Sequence, residues 1–340
     1  MPTRIQHARY YILFAVIVVL LNACVPPGDR PTITITATAV QKHTLTETSS
    51  PPISATESAP LPSTEEKTSL APLPSPTAEP EPVRFAVIGD FGEGNQGEED
   101  VANLVKSWEP DFIITTGDNN YPIGSAETID DHIGKYYHEF IYPYNGAYGD
   151  GADKNRFFPS LGNHDWMTLN AQPYLDYFSL PGIERYYDFV WGPIHFFVVN
   201  SDSNEPDGVS RISTQAMWLK SKLEESDSIW KIVYFHHPPY SSGFRGPVDW
   251  MRWPFQEWGA SAVLSGHAHL YERLLVNGTP FFINGLGGGP IYYFGLTSEY
   301  SAIRYNGDWG AMLVEADSQR ITFQFINRLG EVIDTYQMTR

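Results

Sequence analysis

Residues 261–270, SAVLSGHAHL, join an apolar run to a glycine and two histidines, His267 and His269. Alternate side chains share one face of a regular strand, so the two rings would point the same way if the strand continued. In a turn after the strand the two rings need not point together. A polar turn and a metal site both explain the pair, since neutral imidazole is the commonest protein metal ligand.

Four other strand-like runs also end in Asp, Asn, His or Gly: at Gly89-Asp90, Gly117-Asp118, residues 162–165 and His236-His237. Residues 97–108 and 214–226 have helical spacing, with Met217, Leu219 and Leu223 on the apolar face of the second helix. Strands alternating with helices predict an α/β sandwich, and the closing runs in residues 311–338 predict a mixed sheet. Because ligands bind outside the carboxyl ends of such strands, we expect the five clusters to converge.

Any one of these clusters is also explained by an ordinary turn. Together they supply carboxylates, an amide, imidazoles and a nearby phenol, with no thiol. Such mixed nitrogen and oxygen donors suit iron, zinc or manganese. They exceed the four ligands of one tetrahedral zinc. Two metals about 3.5–4 Å apart that share a carboxylate are the arrangement found in many phosphatases.

Five short blocks, GDFG, GDNNY, GNHD, VYFH and GHAH, occur in this order between residues 89 and 269. They resemble the motif blocks of the purple acid phosphatases, within the calcineurin-like metallophosphoesterases, in a domain that we assign to residues 83–340. The first block, residues 90–92, lacks the histidine of most calcineurin-like enzymes, and Tyr121 stands where the purple enzymes have their tyrosine. In size the domain is most similar to the tartrate-resistant form. The resemblance implies an α/β fold, a β-sandwich of two mixed sheets flanked by helices (αββα).

The resemblance also implies seven metal ligands and two metal ions. A ferric ion would be held by three of them and a divalent iron, zinc or manganese ion by three others, with one carboxylate bridging both. The ferric ligands would be Asp90, Tyr121 and His269; the divalent-site ligands Asn163, His236 and His267; and the bridge Asp118. His267 and His269 would then leave their turn in different directions, each toward a different metal.

Three further residues are candidates for catalysis. By the same resemblance, His164 would face the substrate and either bind phosphate or protonate the leaving oxygen, and Asp165 would orient its ring. The chain lacks the family's histidine nine or ten residues after the fourth-block ligand. Arg245 falls at the ninth position, and we expect it to bind phosphate bidentately. His237 is expected to pack beside its neighbour, and residues 281–295, FFINGLGGGPIYYFG, either line the substrate cleft or serve only for packing.

The first 82 residues differ in amino-acid composition from the rest of the chain. Residues 1–24 combine two arginines with an apolar run of secretory-signal length and end at Cys24, the only cysteine. Their last four residues, LNAC, resemble the bacterial lipoprotein signal, which implies lipidation of Cys24; an uncleaved signal anchor is the alternative. Residues 25–82, rich in Pro, Ser and Thr and without aromatic residues, are expected to form a disordered tether. We therefore expect an exported lipoprotein, at the cell surface or in the periplasm, attached to a membrane through its lipid.

The formal net charge of −18 bears on the binding partner. It argues against nucleic acid, whose phosphates require Lys and Arg, but allows a small phosphate ester where metal ions supply positive charge. The function implied is hydrolysis of phosphomonoesters by attack of a metal-bound hydroxide, in a monomeric protein. The alternatives are a phosphodiesterase or nucleotide pyrophosphatase on the same scaffold, and a non-enzymatic surface binding module.

Overall fold

The computed structural model of the protein describes residues 82–340, which contain thirteen strands and four α-helices. The predicted signal segment, Cys24 and the tether lie outside the described residues. The strands are β1 Val83–Ile88, β2 Phe112–Thr115, β3 Phe157–Pro159, β4 Tyr187–Trp191, β5 Ile194–Val198, β6 Trp230–Tyr234, β7 Ala262–Ser265, β8 Tyr271–Val276, β9 Thr279–Asn284, β10 Ser301–Tyr305, β11 Gly310–Ala316, β12 Arg320–Asn327 and β13 Val332–Thr339. The helices are α1 Gln96–Ser107, α2 Lys135–Tyr137, α3 Gln172–Tyr177 and α4 Thr214–Glu225.

The strands form two mixed sheets, as predicted. The first has the order β13-β12-β11-β1-β2-β3, in which β1, β2 and β3 are parallel and β11 is antiparallel to β1. The second has the order β10-β8-β9-β7-β6-β5-β4, in which β5, β6, β7 and β9 are parallel. Parallel strands bring their carboxyl ends to one edge, so each sheet presents several loops at a common edge.

Aromatic side chains join the two sheets. The Phe85 ring of β1 stacks on Phe112 of β2 at 5.1 Å and meets Phe196 of β5, in the other sheet, edge-on at 5.1 Å. All three rings are fully buried. Burial of each such side chain contributes about 1.5–3 kcal/mol, so this contact favours a fixed placement of one sheet on the other.

Both predicted helices form, each with a side-chain N-cap. The Asn95 Oδ1 accepts the Glu98 N–H at 3.0 Å, and the Ser213 Oγ accepts the Ala216 N–H at 3.2 Å. In α4, Leu219 is buried as expected, whereas the placement of Met217 on the apolar face is wrong, since its side chain is 48% exposed. Two residues correspond to about 200° of helical rotation, which puts Met217 opposite Leu219.

Residues 82–340 contain no helix that is both long enough and apolar enough to span a membrane.

Candidate metal centre

Five loops converge at the carboxyl ends of β1, β2, β3, β6 and β7, and they bring all seven predicted ligands together. The structure places six of these side chains in two adjoining groups, which we name the tyrosine set and the amide set, and the seventh, Asp118, between them. The tyrosine set is Asp90, Tyr121 and His269; the amide set is Asn163, His236 and His267.

In the tyrosine set three donor atoms face one another. The Tyr121 hydroxyl oxygen lies 3.1 Å from His269 Nε2 and 3.4 Å from Asp90 Oδ1. His269 Nε2 lies 3.3 Å from the same carboxylate oxygen. The His269 Nδ1 donates to the Pro290 carbonyl at 2.7 Å, which fixes the tautomer and directs the Nε2 lone pair into the set.

The amide set repeats this geometry with different donors. The Asn163 Oδ1 lies 2.9 Å from His267 Nδ1 and 3.1 Å from His236 Nε2, and the two ring nitrogens are 3.2 Å apart. The His236 Nδ1 donates to the Thr116 carbonyl at 2.8 Å, so its Nε2 faces inward. His237 packs beside His236, as expected, with ring centres 4.9 Å apart, and its ring nitrogen lies within 4.8 Å of those of His236 and His267.

Asp118 lies between the two sets. Its Oδ2 is 3.1 Å from the Tyr121 hydroxyl and 3.2 Å from His236 Nε2. Its Oδ1 accepts the His164 backbone N–H at 2.8 Å, which holds the carboxylate in place. One oxygen atom is therefore within reach of both donor sets, which is the geometry that a carboxylate shared by two cations needs.

The backbone is strained at three of these residues. Asp90, Asp118 and His267 have φ values of 54°, 52° and 66°, in the left-handed region that side chains other than glycine seldom adopt. Each costs about 1–3 kcal/mol and persists where the surroundings enforce it. At His267 this turn sends its ring to the amide set while His269 reaches the tyrosine set, so the two histidines do point in different directions.

Buried negative charge makes the centre suitable for cations. Asp90 and Asp118 are 0% and 1% exposed, and their only ion-pair partners in the described part of the chain are histidines. Burial alone would raise the pKa of Asp118, but the charge and hydrogen bond of His236 outweigh it and hold the pKa below its ordinary value. Burial likewise opposes protonation of His236, yet Asp118 raises its pKa to about 9. The Asp118 carboxylate is thus stabilised by the positive charge of a protonated imidazole beside it. A metal cation bound at the same place would supply that positive charge instead.

The neutral donors also fit metal binding. Burial, followed by repulsion from His236 and His237, lowers the pKa of His267 to about 2, so its ring is neutral and its Nδ1 can accept. Burial and the charges of Asp118 and Asp90 raise the pKa of the Tyr121 phenol well above its ordinary value. A bound cation opposes that shift, because it favours the phenolate. The oxygen-rich tyrosine set and the nitrogen-rich amide set therefore offer a hard and a softer site.

His164 lies beside the centre with one ring nitrogen fixed. Its Nδ1 is 2.6 Å from the Pro122 carbonyl, so the N–H is on Nδ1 when the ring is neutral, and its Nε2 is 4.0 Å from Asp118 Oδ2. The His164 side chain is 29% exposed, whereas that of Asp118 is 2% exposed. A ring nitrogen at this place reaches both the centre and solvent.

The prediction that Asp165 orients the His164 ring is wrong. The Asp165 carboxylate turns the other way and accepts the Gly162 N–H at 2.8 Å and the Asn119 side-chain N–H at 2.9 Å. It also accepts the Asn119 backbone N–H at 3.1 Å. Its contacts therefore tie the loop after β3 to the loop after β2, and the Pro122 carbonyl holds the imidazole instead.

Two features escaped the sequence analysis. Tyr292 stacks on His269 with ring centres 4.0 Å apart and planes 3° from parallel, and the Arg245 guanidinium donates to its hydroxyl at 3.3 Å. The glycine-rich run 285–289 passes directly behind the tyrosine set: a Cβ at Gly289 would lie 3.0 Å from the His269 ring. The sequence GLGGGPIYY indicated close packing, but not against which residues.

Comparison with known proteins agrees with this geometry. Residues 83–271, more than half of the chain, match the family model described as calcineurin-like phosphoesterase. Tartrate-resistant acid phosphatase type 5 of Mus musculus is 26% identical over 254 residues, which cover 63% of this chain and 73% of that protein. Purple acid phosphatase 23 of Arabidopsis thaliana is 25% identical over 250 residues, and the match spans only about half, 52%, of its length.

Two solved structures share the fold. The purple acid phosphatase from Lupinus luteus seeds gives a TM-score of 0.63 at 17% identity, covering 76% of this chain and 54% of that chain. GAP50, described as the anchor in the inner membrane complex of Plasmodium, gives 0.59 at 21% identity, covering 76% and 89%. The resemblance to purple acid phosphatases is thus confirmed, and the two adjoining donor sets fit the family's binuclear centre. The chain belongs to the calcineurin-like phosphoesterases, a family of phosphoric ester hydrolases.

Proposed function

We propose that this protein hydrolyses phosphomonoesters at a binuclear metal centre. The tyrosine set would hold Fe(III), the amide set would hold a divalent iron, zinc or manganese ion, and Asp118 would be shared. The observation that carries the proposal is the position of Asp118 Oδ2, within 3.1 Å of the Tyr121 hydroxyl and 3.2 Å of His236 Nε2. The relatives of similar sequence are acid phosphatases by name, which supports a phosphomonoester as the substrate.

The donor chemistry supports the assignment of the metals. Phenolate and carboxylate oxygens are hard, anionic donors that suit a trivalent ion, whereas two imidazoles and an amide oxygen suit a divalent one. When bound, two such cations supply Lewis acidity, which screens the charge of the phosphate and activates the attacking water. Hydrogen bonds to the surrounding residues orient these donors, and the fold buries most of them.

His164 is proposed as the general acid. With Nδ1 held by the Pro122 carbonyl, its Nε2 is the atom that carries and releases the proton. Transfer of that proton to the departing ester oxygen avoids a free alkoxide, and such a step contributes typically 10²–10⁴-fold to a rate. Partial exposure allows the ring to be reprotonated from solvent after each turnover.

Arg245 is proposed to bind the phosphate. Its guanidinium is exposed beside the tyrosine set and donates to the Tyr292 hydroxyl, leaving further N–H groups for an anion. Arginine keeps its proton at neutral pH, so it can clamp the ester but cannot replace His164 as the acid.

The test is a visible absorption spectrum of the protein purified with iron available, together with Tyr121→Phe. A mid-visible band that disappears in Tyr121→Phe supports a tyrosinate bound to Fe(III). The matched control is Tyr187→Phe, at a buried tyrosine that donates to the Pro159 carbonyl at 2.7 Å and contacts neither set. Metal bound without any such band would contradict the ferric assignment.

A second measurement concerns the substrate. Hydrolysis of a chromogenic phosphomonoester should exceed that of the corresponding diester. The reverse order would instead support a phosphodiesterase, and bound metal without turnover of either ester would support a binding module.

We further propose that the protein is an exported lipoprotein whose Cys24 carries the lipid. The support is the sequence at residues 21–24, LNAC, together with the absence of any other cysteine. Incorporation of labelled fatty acid should be lost in Cys24→Ala, with release of the protein from the membrane fraction. Label retained in Cys24→Ala would rule out this anchor.

A further inference from the structure

An exposed group of rings lies one side chain away from the tyrosine set. It consists of Phe244, Arg245, Tyr292 and Tyr293, and we call it the aromatic platform. Tyr292 stacks on His269 at 4.0 Å, Phe244 meets Tyr292 edge-on at 5.2 Å, and Tyr293 stacks on Phe244 at 4.6 Å. The rings therefore form a continuous path from the tyrosine set to solvent.

The platform is held by backbone contacts, not by chance packing of side chains. Gly243 and Phe294 form an antiparallel bridge, and the Phe244 N–H donates to the Tyr293 carbonyl at 3.2 Å. The Gly295 N–H donates to the Ser242 carbonyl at 2.7 Å. Two distant segments of the chain are thus fixed together, so the rings are pre-positioned before any ligand arrives.

The outer rings of the aromatic platform, those of Phe244 and Tyr293, are exposed to solvent although their faces are apolar. Tyr293 is 66% exposed and Phe244 is 40% exposed. The Arg245 guanidinium lies 5.5 Å from the Phe244 ring centre and 5.1 Å from that of Tyr292. A cation and flat rings beside a phosphate site offer one contact for the anion and another for a planar group attached to it.

We propose that the aromatic platform is the leaving-group subsite and selects phosphate esters whose organic part carries a planar aromatic ring. This inference rests on the proposed function, because it places the phosphate at the two donor sets. The ester's ring stacks on Phe244 or Tyr293, while Arg245 binds the phosphate at the platform's inner edge. Aryl esters and nucleoside esters share this chemistry and differ in the distance between ring and phosphorus.

Trp250, beside His237, is the alternative site on which the aromatic ring of an ester could stack. Trp250 is 47% exposed, and its ring centre lies 6.0 Å from that of His237. Its indole N–H donates to the Ser201 carbonyl at 3.1 Å, and no arginine within residues 82–340 lies over its ring. The platform of Phe244 and Tyr293 presents two exposed rings and combines them with the charge of Arg245, which favours it.

The test uses phosphonates, which bind but are not hydrolysed, added to the metal-loaded full-length protein in a calorimeter. We expect phenylphosphonate to bind roughly tenfold tighter than methylphosphonate, and cyclohexylphosphonate, which cannot stack, to gain much less. The Phe244→Leu/Tyr293→Leu double variant should lose the phenyl preference, whereas Tyr293→Phe should keep it. Inorganic phosphate should bind equally to all of these proteins. A nucleoside 5′-phosphonate tests the longer reach.

Equal affinity for methyl and phenyl ligands would overturn the subsite, as would a phenyl preference lost in Trp250→Leu and retained in the double variant. Because binding is measured without turnover, the two proposals fail separately. Phenyl selectivity in a protein that hydrolyses no ester would remove the proposed function and leave the subsite in place. Thermal unfolding of each variant shows whether it folds, and Val190→Ala, at a 58% exposed residue of β4, is the control for an exposed apolar substitution.

Discussion

The two histidines of the GHAH block provide the sharpest prediction, because the structure assigns them to different sets. His267 Nδ1 lies 2.9 Å from Asn163 Oδ1, and His269 Nε2 lies 3.1 Å from the Tyr121 hydroxyl. We therefore expect His267→Ala to lose the divalent ion and to keep iron. We expect His269→Ala to lose iron, with loss of the visible band.

The magnitude follows from the number of donors. Each set offers four protein ligands when the shared Asp118 is included. Binding free energies of about 10–16 kcal/mol for a structural four-ligand metal site correspond to about 3 kcal/mol for each donor. Loss of one imidazole should thus weaken that site roughly 100-fold, while the other site changes less.

The assay is metal content by mass spectrometry after dialysis against graded concentrations of a chelator. His195→Ala is the matched control, since this histidine contacts Asp188 and Ser226 at 2.9 Å and belongs to neither set. It should retain both metals. If either GHAH variant kept two metals at the affinity of the unchanged protein, the assignment of one histidine to each set would be refuted.

Three further predictions concern single residues. Arg245→Ala should raise the KM for a phosphomonoester and the inhibition constant of phosphate about tenfold with little change in kcat, and Arg245→Lys should restore part of the loss; an unchanged KM would remove the clamp. Burial, with repulsion from Glu93, raises the pKa of Glu98 well above 4.5 despite backbone hydrogen bonds. The protonated carboxyl therefore contributes its full stability below pH 4.5, and the contribution is lost as the pH rises through the raised pKa of the folded protein. In denaturant unfolding, the free energy of unfolding of Glu98→Gln should therefore exceed that of the unchanged protein by more at pH 8 than at pH 4. An increase that does not depend on pH would contradict this. Glu272 is fully buried and accepts the Ser242 N–H at 2.7 Å, so Glu272→Leu, which removes that acceptor, should lower the free energy of unfolding by about 1–3 kcal/mol, and a change below about 0.5 kcal/mol would contradict the contact.

Local pattern was sufficient for much of the fold. Apolar runs bounded by turn residues identified β1, β2, β3, β6 and β7, because a strand buried on both faces reads as a continuous apolar segment. Helical spacing identified α1 and α4. The strands β8, β9 and β10 were not predicted; every residue of β9 is buried, whereas β10 alternates half-buried and exposed residues over only five positions. A fully buried strand has no alternation, and an alternation over five residues is too short to set a strand apart from a loop.

The candidate site was also predictable only in part. The residue types and their order were readable, since Asp90, Asp118 and the GHAH histidines each follow a strand. The side-chain directions were not, as Asp165 illustrates. A carboxylate next to a histidine in sequence can turn toward either neighbour, and here the N–H groups of Gly162 and Asn119 lie on the other side. Hydrogen-bond partners of buried groups depend on which loops meet, and sequence adjacency does not specify this.

The sequence by itself determined the chemistry of this protein: seven oxygen and nitrogen donors, placed after the strands of an α/β sandwich, in an order that resembles one family. The family resemblance implied how those donors are divided between two metals, and only the tertiary structure decided the distances and directions that bring them together. Three features depend on segments that are far apart in the chain. They are the left-handed turn at His267, the position of Asp118 between the two sets, and the rings of Phe244, Tyr292 and Tyr293 beside His269. The physical reason is that strand register and sheet packing set distances between loops, whereas local sequence sets only which side chains the loops carry.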